Sequence, residues 1–426
     1  MPLRLSTWTS IFMIFGLFNL VSSSQAVLDS ASINTPQTYY RICPLPRCER
    51  CPSDEEIRAP GVGFALETSH GAAVVRLHDG AYQRIALIKG DASYTTLLRR
   101  LATGPENRTP DHFDSNWKKL QYVKARTQRH LNKLLGRPAT SETAILATMV
   151  SALYNETQTW LGGDQPIAAA VLSSPDRIRL TDEEINDVFD YLKLKNLMAE
   201  PDSLEDLYAT SAAYAGYGLG LCTTYTDAYA CEREEWRFPF QYVLHVDFNR
   251  ESLSATIKRL QSARDGSVAA AFVDPDLGHA REEARLALAP ESDGELYWAS
   301  VSTRIRELVM SFKPGITELL LTGTSATDAR FKAALRDALH DIVGEDVLAV
   351  FDSDGNNVFN KDEWKATFDF ATARGAAEVA KRRQEGPVRC AQSDECKERR
   401  GYKEQAVLQN QGTDIGGSEQ DQASFL

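Results

Sequence analysis

The sequence predicts an α/β protein built from two similar lobes with a cleft between them. A run of three short strands with tight turns opens near Gly61, and helices and a buried strand follow it; the same order begins again near Tyr242. An internal duplication of this kind predicts two matched lobes, and ligands favour the interface between them. The later copy ends in residues 318–339. There Leu319, Leu320 and Leu321 run into a Gly-Thr-Ser turn, after which Phe331, Ala334, Leu335, Ala338 and Leu339 share one face of a 3.6-residue period. A buried strand, a glycine turn and a helix N-terminus make a place where backbone N–H groups can meet a ligand.

The first residues set the expected compartment. Arg4 precedes an apolar run over 11–21, and small residues end at Ser24-Gln25-Ala26. This is the pattern of a secretory signal peptide over 1–26, cleaved after Ala26 and too short to span a membrane. No second long apolar run follows, so the mature chain is expected to be soluble, secreted or held in the secretory-pathway lumen. Asn107 and Asn155 head glycosylation sequons, in keeping with that route. The last residues, Ala423-Ser424-Phe425-Leu426, carry no retention signal.

The 426 residues carry 47 Lys and Arg against 59 Asp and Glu, a formal net charge of −12. Removing Arg4 with the signal peptide takes it from −12 to −13. That sign argues against nucleic acid or an anionic membrane as partner and leaves an unidentified protein. Seven cysteines fit disulfides better than metal in an oxidising compartment. Cys222 with Cys231 and Cys390 with Cys396 are expected as local bridges. Cys43, Cys48 and Cys51 are odd in number, so one is free or pairs at long range. The spacing CPLPRCERC does not supply four zinc ligands.

In chain order, 27–60 is rich in Pro, Ser, Arg and Cys and reads as an irregular arm pinned by its cysteines. The first lobe is expected over 61–240. Gly61-Val62-Gly63-Phe64-Ala65-Leu66 opens a strand, His70-Gly71 marks a turn and 72–77 is a second strand. Asp79-Gly80 is a tight hairpin pair, and 82–88 is a third strand. Helices follow from 95 to 135, broken by the polar stretch 104–113, and another covers 141–160. Residues 166–172 form a buried strand. Thr181-Asp182-Glu183-Glu184 is a capping box, followed by a helix with Ile185, Val188, Phe189 and Leu192 on one face. The small residues of 211–221 serve either as a hinge or as a crowded helix crossing.

The second lobe, 241–389, repeats the meander with strands at 242–248, 252–257 and 268–273 and a turn at Asp265-Gly266. Helices at 278–288 and 301–312 lead to the strand and helix of 318–339. A further helix covers 371–383, where Lys381-Arg382-Arg383 suits the negative end of the helix dipole. The tail, 390–426, is polar and expected to be disordered.

Five motifs in this order resemble the actin-like ATPase superfamily, and within it the nucleotide-binding domain of the seventy-kilodalton heat-shock chaperones. Gly61-Val62-Gly63-Phe64-Ala65 stands at the first phosphate loop and 211–219 resembles the first connecting helix. His245-Val246-Asp247-Phe248-Asn249 stands at the second phosphate loop. Leu321-Thr322-Gly323-Thr324-Ser325 is similar to the adenosine loop, and Ala373-Arg374-Gly375-Ala376-Ala377 to the second connecting helix. The resemblance covers about 61–383 and implies a duplicated ribonuclease H-like fold with a central cleft, binding ATP or ADP with Mg through Gly61, Val62, Gly63, Asp247, Gly323, Thr324 and Ser325. Asp247 is the catalytic candidate it implies. Gly63 stands where the family has a carboxylate, and Phe248, Asn249 and Arg250 replace consecutive glycines. Phosphoryl transfer depends almost wholly on positioning and charge neutralisation, so these departures predict a pseudo-ATPase. The family's peptide-binding domain has no counterpart in the chain.

Two other chemistries are open. From Asp352, oxygen side chains at Asp352, Asp354, Asn356, Asn360 and Glu363 follow the spacing of an EF-hand calcium loop, with Asn357 in place of the usual glycine and no second loop to pair with. Gly323-Thr324-Ser325-Ala326-Thr327 approaches a nucleophile elbow whose closing glycine is Thr327, with His340 as the available base. His245 shares a strand face with Asp247 and reads as a satisfied core histidine. The expected function is a nucleotide-binding or protein-interaction module without efficient hydrolysis. An active ATP-hydrolysing, chaperone-like protein and a calcium-binding secreted protein are the alternatives.

Overall fold

The computed structural model describes residues 45–104, 116–163, 166–178, 180–199, 207–264, 267–288, 292–348, 361–387 and 390–398. They belong to one compact unit, Leu45–Leu426. The signal peptide, Cys43, the Asn107 sequon, the Asp265-Gly266 turn, most of the calcium-type loop and the tail beyond 398 lie outside the described residues.

Two mixed sheets organise the chain. The first begins with β1 (Gly61–Leu66), β2 (His70–Arg76) and β3 (Tyr82–Lys89), an antiparallel meander, and adds β4 (Ala169–Ser174) parallel to β1. Two short strands, β5 (Lys195–Asn196) and β6 (Leu207–Tyr208), pair with successive halves of β4. The second sheet repeats this plan. β7 (Gln241–Phe248), β8 (Leu253–Leu260) and β9 (Ser267–Asp274) form an antiparallel meander, and β10 (Glu318–Thr322) runs parallel to β7. The strand orders are β3-β2-β1-β4 and β10-β7-β8-β9, the same arrangement read from opposite edges. Even the irregularities correspond. The register slips between Ala73 and Val74 in the first meander and between Ile257 and Lys258 in the second. The first turn lies at Glu67-Thr68-Ser69 rather than at His70-Gly71, because His70 and Gly71 already pair with Lys89 and Ile88.

Helices cover both sheets. On the first sheet, α2 (Ala92–Thr103), α4 (Ser141–Trp160) and α5 (Asp182–Leu192) bury Val62, Phe64 and Leu66 of β1 together with Leu146, Val150 and Val188. Between α2 and α4 runs α3 (Asn116–Leu134). The predicted capping box forms: Thr181 Oγ1 accepts from the Glu184 N–H, and Glu184 Oε2 accepts from the Thr181 N–H at 2.8 Å. On the second sheet, α9 (Ser292–Met310) and α10 (Ala329–Leu339) bury Leu244, Val246 and Phe248 against Tyr297, Phe331 and Leu335. Phe248 stacks on Phe331 with ring centroids 4.3 Å apart.

The space between the sheets holds α6 (Ala209–Gly216) and α12 (Lys361–Glu385), each packed on the sheet remote from it in sequence. Tyr214 and Ala215 of α6 meet Val243 and Leu320 of the second sheet. Ala373 and Ala377 of α12 meet Ala65, Ala72 and Val74 of the first. The alternation of β1 follows from this, with large residues facing α4 and the small Gly61, Gly63 and Ala65 facing α12. The two helices cross at glycines. A Cβ on Gly375 would lie 1.7 Å from the Ala212 carbonyl oxygen, and one on Gly216 would lie 2.0 Å from that of Ala371. The glycine-rich stretch is therefore a close crossing. α12 starts ten residues before the helix expected at 371, and by packing it belongs to the first sheet as much as to the second.

Shorter helices complete the described chain: α1 (Asp54–Arg58), α7 (Ala228–Glu235), α8 (His279–Leu288) and α11 (Glu345–Leu348). α1 stands in the arm expected to be irregular, where Ser53 and Glu56 form a second capping box. Cys222 and Cys231 are bonded as expected, but Cys390 and Cys396 are not bonded to each other. Cys390 pairs with Cys48 and Cys396 with Cys51. A bridge between Arg47 and Ala391 aligns these segments, so residues 390–398, expected in the disordered tail, are fastened to the arm. Spacing could not reveal a pairing that depends on two remote segments lying side by side.

Lys381, Arg382 and Arg383 do more than close a helix. Lys381 Nζ donates to the carbonyls of Ile57 and Ala59 at the end of α1, Arg382 to that of Cys222, and Arg383 to that of Leu197.

Candidate functional site

The turns that end β1 and β7 meet between the two sheets. Thr68, in the first turn, and Ser252, in the second, have hydroxyls 2.7 Å apart. Asn249 Nδ2 donates to Thr68 Oγ1 at 2.8 Å and to Asp247 Oδ2 at 2.7 Å, while its Oδ1 accepts from the Glu251 N–H at 3.0 Å. Asn249 thus shapes its own turn and ties it to the other. Thr68, Asn249, Ser252 and Asp247 are all buried.

Polar side chains of β7, β8 and β10 that face α6 extend the network. Thr322 Oγ1 donates to Asp247 Oδ1 at 3.1 Å and lies 2.8 Å from His245 Nε2. The other ring nitrogen of His245 is 3.1 Å from Thr210 Oγ1. Thr210 donates through its hydroxyl and its N–H to Asp176 Oδ2, at 2.7 and 2.8 Å. Tyr208, the residue before α6, makes no side-chain cap, so Asp176 supplies the carboxylate that a helix N-terminus favours. Lys258 is a buried cation here, donating to Ser211 Oγ at 2.8 Å and standing 3.8 Å from Asp176 Oδ1. Glu67 accepts from Thr372 Oγ1 of α12 at 2.8 Å.

Burial governs the electrostatics. The Glu67 carboxyl is pushed well above its usual range, first by burial and then by the nearby charge of Asp247. Burial raises Asp247 to about 6, against the pull of the Thr322 and Asn249 hydrogen bonds. Burial holds His245 down at about 4, so the ring is neutral, as expected of a satisfied core histidine. His70, buried in the first sheet, is lowered to about 4 by the same cause.

The residues expected to bind nucleotide are placed as follows. Gly61, Val62 and Gly63 lie inside β1, away from any turn. A Cβ on Gly63 would stand 2.1 Å from Ala377 N and 2.4 Å from Ala373 O, so its missing side chain admits α12. The position next to the second turn belongs instead to Glu67-Thr68-Ser69. Gly323 does occupy the turn after β10, with φ +103°, and a Cβ there would meet the Phe248 carbonyl oxygen at 2.3 Å and Asp247 Oδ1 at 2.8 Å. Its N–H and that of Ser325 are spent on the carbonyls of Phe368 and Phe248, both at 3.1 Å. Thr324 is half-buried in the same turn. Asp328 caps α10 through the N–H groups of Arg330 and Phe331. With Thr68 bonded to Ser252 and Asn249, a phosphate group could enter only by breaking these contacts, and the residues present do not fit one. The cavity beside the turns, near Thr68, Arg99 and Glu251, has a volume of about 80 Å³, small against the roughly 300–1,000 Å³ of ligand pockets.

Other expectations divide. Asp352, Asp354, Asn356 and Asn360 lie outside the described residues, and Glu363 is exposed on α12. Asn155 is exposed on α4, while Thr157 of its sequon is buried and donates to the Leu153 carbonyl at 2.7 Å. His340 follows the last residue of α10, an eleven-residue helix about 16 Å long, and Ser325 precedes its start, so His340 does not serve Ser325 as a base. Cys222, Cys231 and Glu235 crowd together, but the two sulfurs are bonded to each other. Sequence reasoning missed Glu67, Thr68, Asp176 and Lys258. The polar triplet between two apolar strands was the available signal for the first two. No protein-family model matches the chain, and no curated protein matches it.

Proposed function

We propose that the chain is a two-lobed protein of the actin-like ATPase fold whose phosphate site has become a side-chain clasp, and that it serves as a protein-interaction module without nucleotide hydrolysis. The doubled strand order supports the fold. So do the two helices crossing between the sheets, since each half lends one to the other. The observation that carries the loss of hydrolysis is the Thr68–Ser252 contact at 2.7 Å, reinforced by Asn249 on both residues' turns. Asp247 is committed to Asn249 and Thr322 and carries a proton at mildly acidic pH.

Calorimetric titration of the oxidised protein with Mg-ATP and with Mg-ADP, paired with a phosphate-release assay, tests the reading. No saturable heat and no phosphate above the buffer rate are expected. A ligand at a hundred times its Kd would add about 2.7 kcal/mol to stability. A stabilisation of that order with Mg-ATP, read as a rise in Tm and lost in Gly323→Val, would overturn the proposal.

A further inference from the structure

Helix α3 is attached to the body by its charged side. Arg129 Nε donates to Asp187 Oδ2 at 2.5 Å, and Lys133 Nζ reaches Asp187 at 2.9 Å and Asp190 at 2.7 Å, so the acidic face of α5 holds it. Of residues 117–134, all but Arg129 and Asn132 are exposed. At about 100° per residue, the docked side lies opposite Trp117, Leu120, Val123, Leu131 and Leu134, which share an arc of roughly 120°. Trp117 is 65% exposed and Leu134 70%, and Leu135, just past the helix, is 66%. An amphipathic helix ordinarily turns this stripe to the core; α3 turns it outward. Its sequence, NWKKLQYVKARTQRHLNKL, holds six Lys and Arg and no acidic residue, a local excess hidden by the net charge of −12.

We propose that α3 is a membrane-surface helix that lays this stripe into an anionic lipid interface. Three features select that occupant. A second copy of α3 would set its own Lys119 and Lys124 against these. A partner whose groove wraps a helix is obstructed, because α5 already holds the back of α3. A flat surface needs one face only, and anionic headgroups complement the exposed Lys124 within the stripe and Lys119 about 40° beyond its edge. Trp117 at one end suits the headgroup level. Among the described residues no helix is long and apolar enough to cross a membrane, so α3 lies on the surface and does not span it.

Flotation of the whole oxidised protein with vesicles tests this. Binding to phosphatidylcholine vesicles containing phosphatidylserine should be at least about tenfold stronger than to phosphatidylcholine alone, and should weaken with added salt. Leu120→Ser with Leu134→Ser should lower it at least about tenfold with the Tm unchanged, since both side chains are exposed. Equal binding to the two vesicle types, or full binding by the double variant, would overturn the proposal. So would a dimer in sedimentation that the double variant dissolves while no vesicles are bound. Binding to polyglutamate in place of vesicles would assign the stripe to an acidic protein partner and overturn the lipid reading.

Discussion

Thr68 and Ser252, 184 residues apart in sequence, share a buried hydrogen bond of 2.7 Å. Each sits where a hairpin turns at the end of its sheet, so the bond joins the two duplicated halves at equivalent points.

Thr68→Val should destabilise the protein by about 1–3 kcal/mol, because Asn249 and Ser252 lose a buried partner. The double variant with Ser252→Ala should cost less than the sum of the single variants, a coupling of roughly 0.5–3 kcal/mol. Urea denaturation of the four proteins measures it. Additive losses would show that the two turns are not energetically tied.

Gly375→Ala should be more damaging than an ordinary overpacked site. The new Cβ would lie 1.7 Å from the Ala212 carbonyl oxygen, which is helix backbone with little freedom to move. A loss at or above the top of the usual range, about 1–3 kcal/mol, is expected in chemical denaturation. Gly80→Ala is the contrast: its φ of +91° strains the backbone but nothing crowds the site, so about 1 kcal/mol is expected.

Asp247 gives a pH dependence of known sign. Its folded pKa, about 6, lies above the ordinary 3.8, so the native state holds the proton more tightly and stability falls as pH rises from about 4 through 6. The lowered His70 and His245 act in the opposite sense over a similar window, their native states binding fewer protons below 6.5. The whole protein therefore shows a partly cancelled profile, and the variant removes the Asp247 contribution together with the part of the Glu67 shift that the Asp247 charge causes. Asp247→Asn should gain on the native protein as pH rises from 4 to 7, by roughly 2–3 kcal/mol. Denaturation midpoints across that range, with a constant difference between the two proteins, would refute the assignment.

The cost of losing each disulfide should follow the loop it closes while the others stay in place. Cys48–Cys390 and Cys51–Cys396 span 342 and 345 residues, while Cys222–Cys231 spans 9. Each long bond leaves the other holding the same two segments and so closes only about nine residues of further chain. Replacing either long pair alone, or the short pair, by serine should cost about 2–3 kcal/mol, while replacing both long pairs together should cost more than the two single losses summed, on the entropy of the unfolded chain. Guanidinium midpoints of the paired variants give the order.

The parts legible in the sequence were those fixed within a few residues. The two meanders, the helix of Ser141–Trp160 and the Thr181–Glu184 capping box rest on periodicity and on bonds three residues long, so local reading reached them. The duplication was legible because it repeats local patterns in one order. Asp247 and His245 were correctly set on one strand face, since alternation along β7 is itself local.

Tertiary structure alone decided what each pattern was for. Gly61 and Gly63 form a strand from either view, but only the packed chain shows them admitting α12 and not a phosphate. The partners of Cys390 and Cys396 depend on two remote segments meeting. The basic, apolar helix α3 is encoded in its residues, whereas the side it shows to solvent is set by Asp187 and Asp190 of α5. The physical reason is common to all three. Local sequence fixes the backbone and the faces of an element, and contacts between elements far apart in the chain fix which face is covered, and by what.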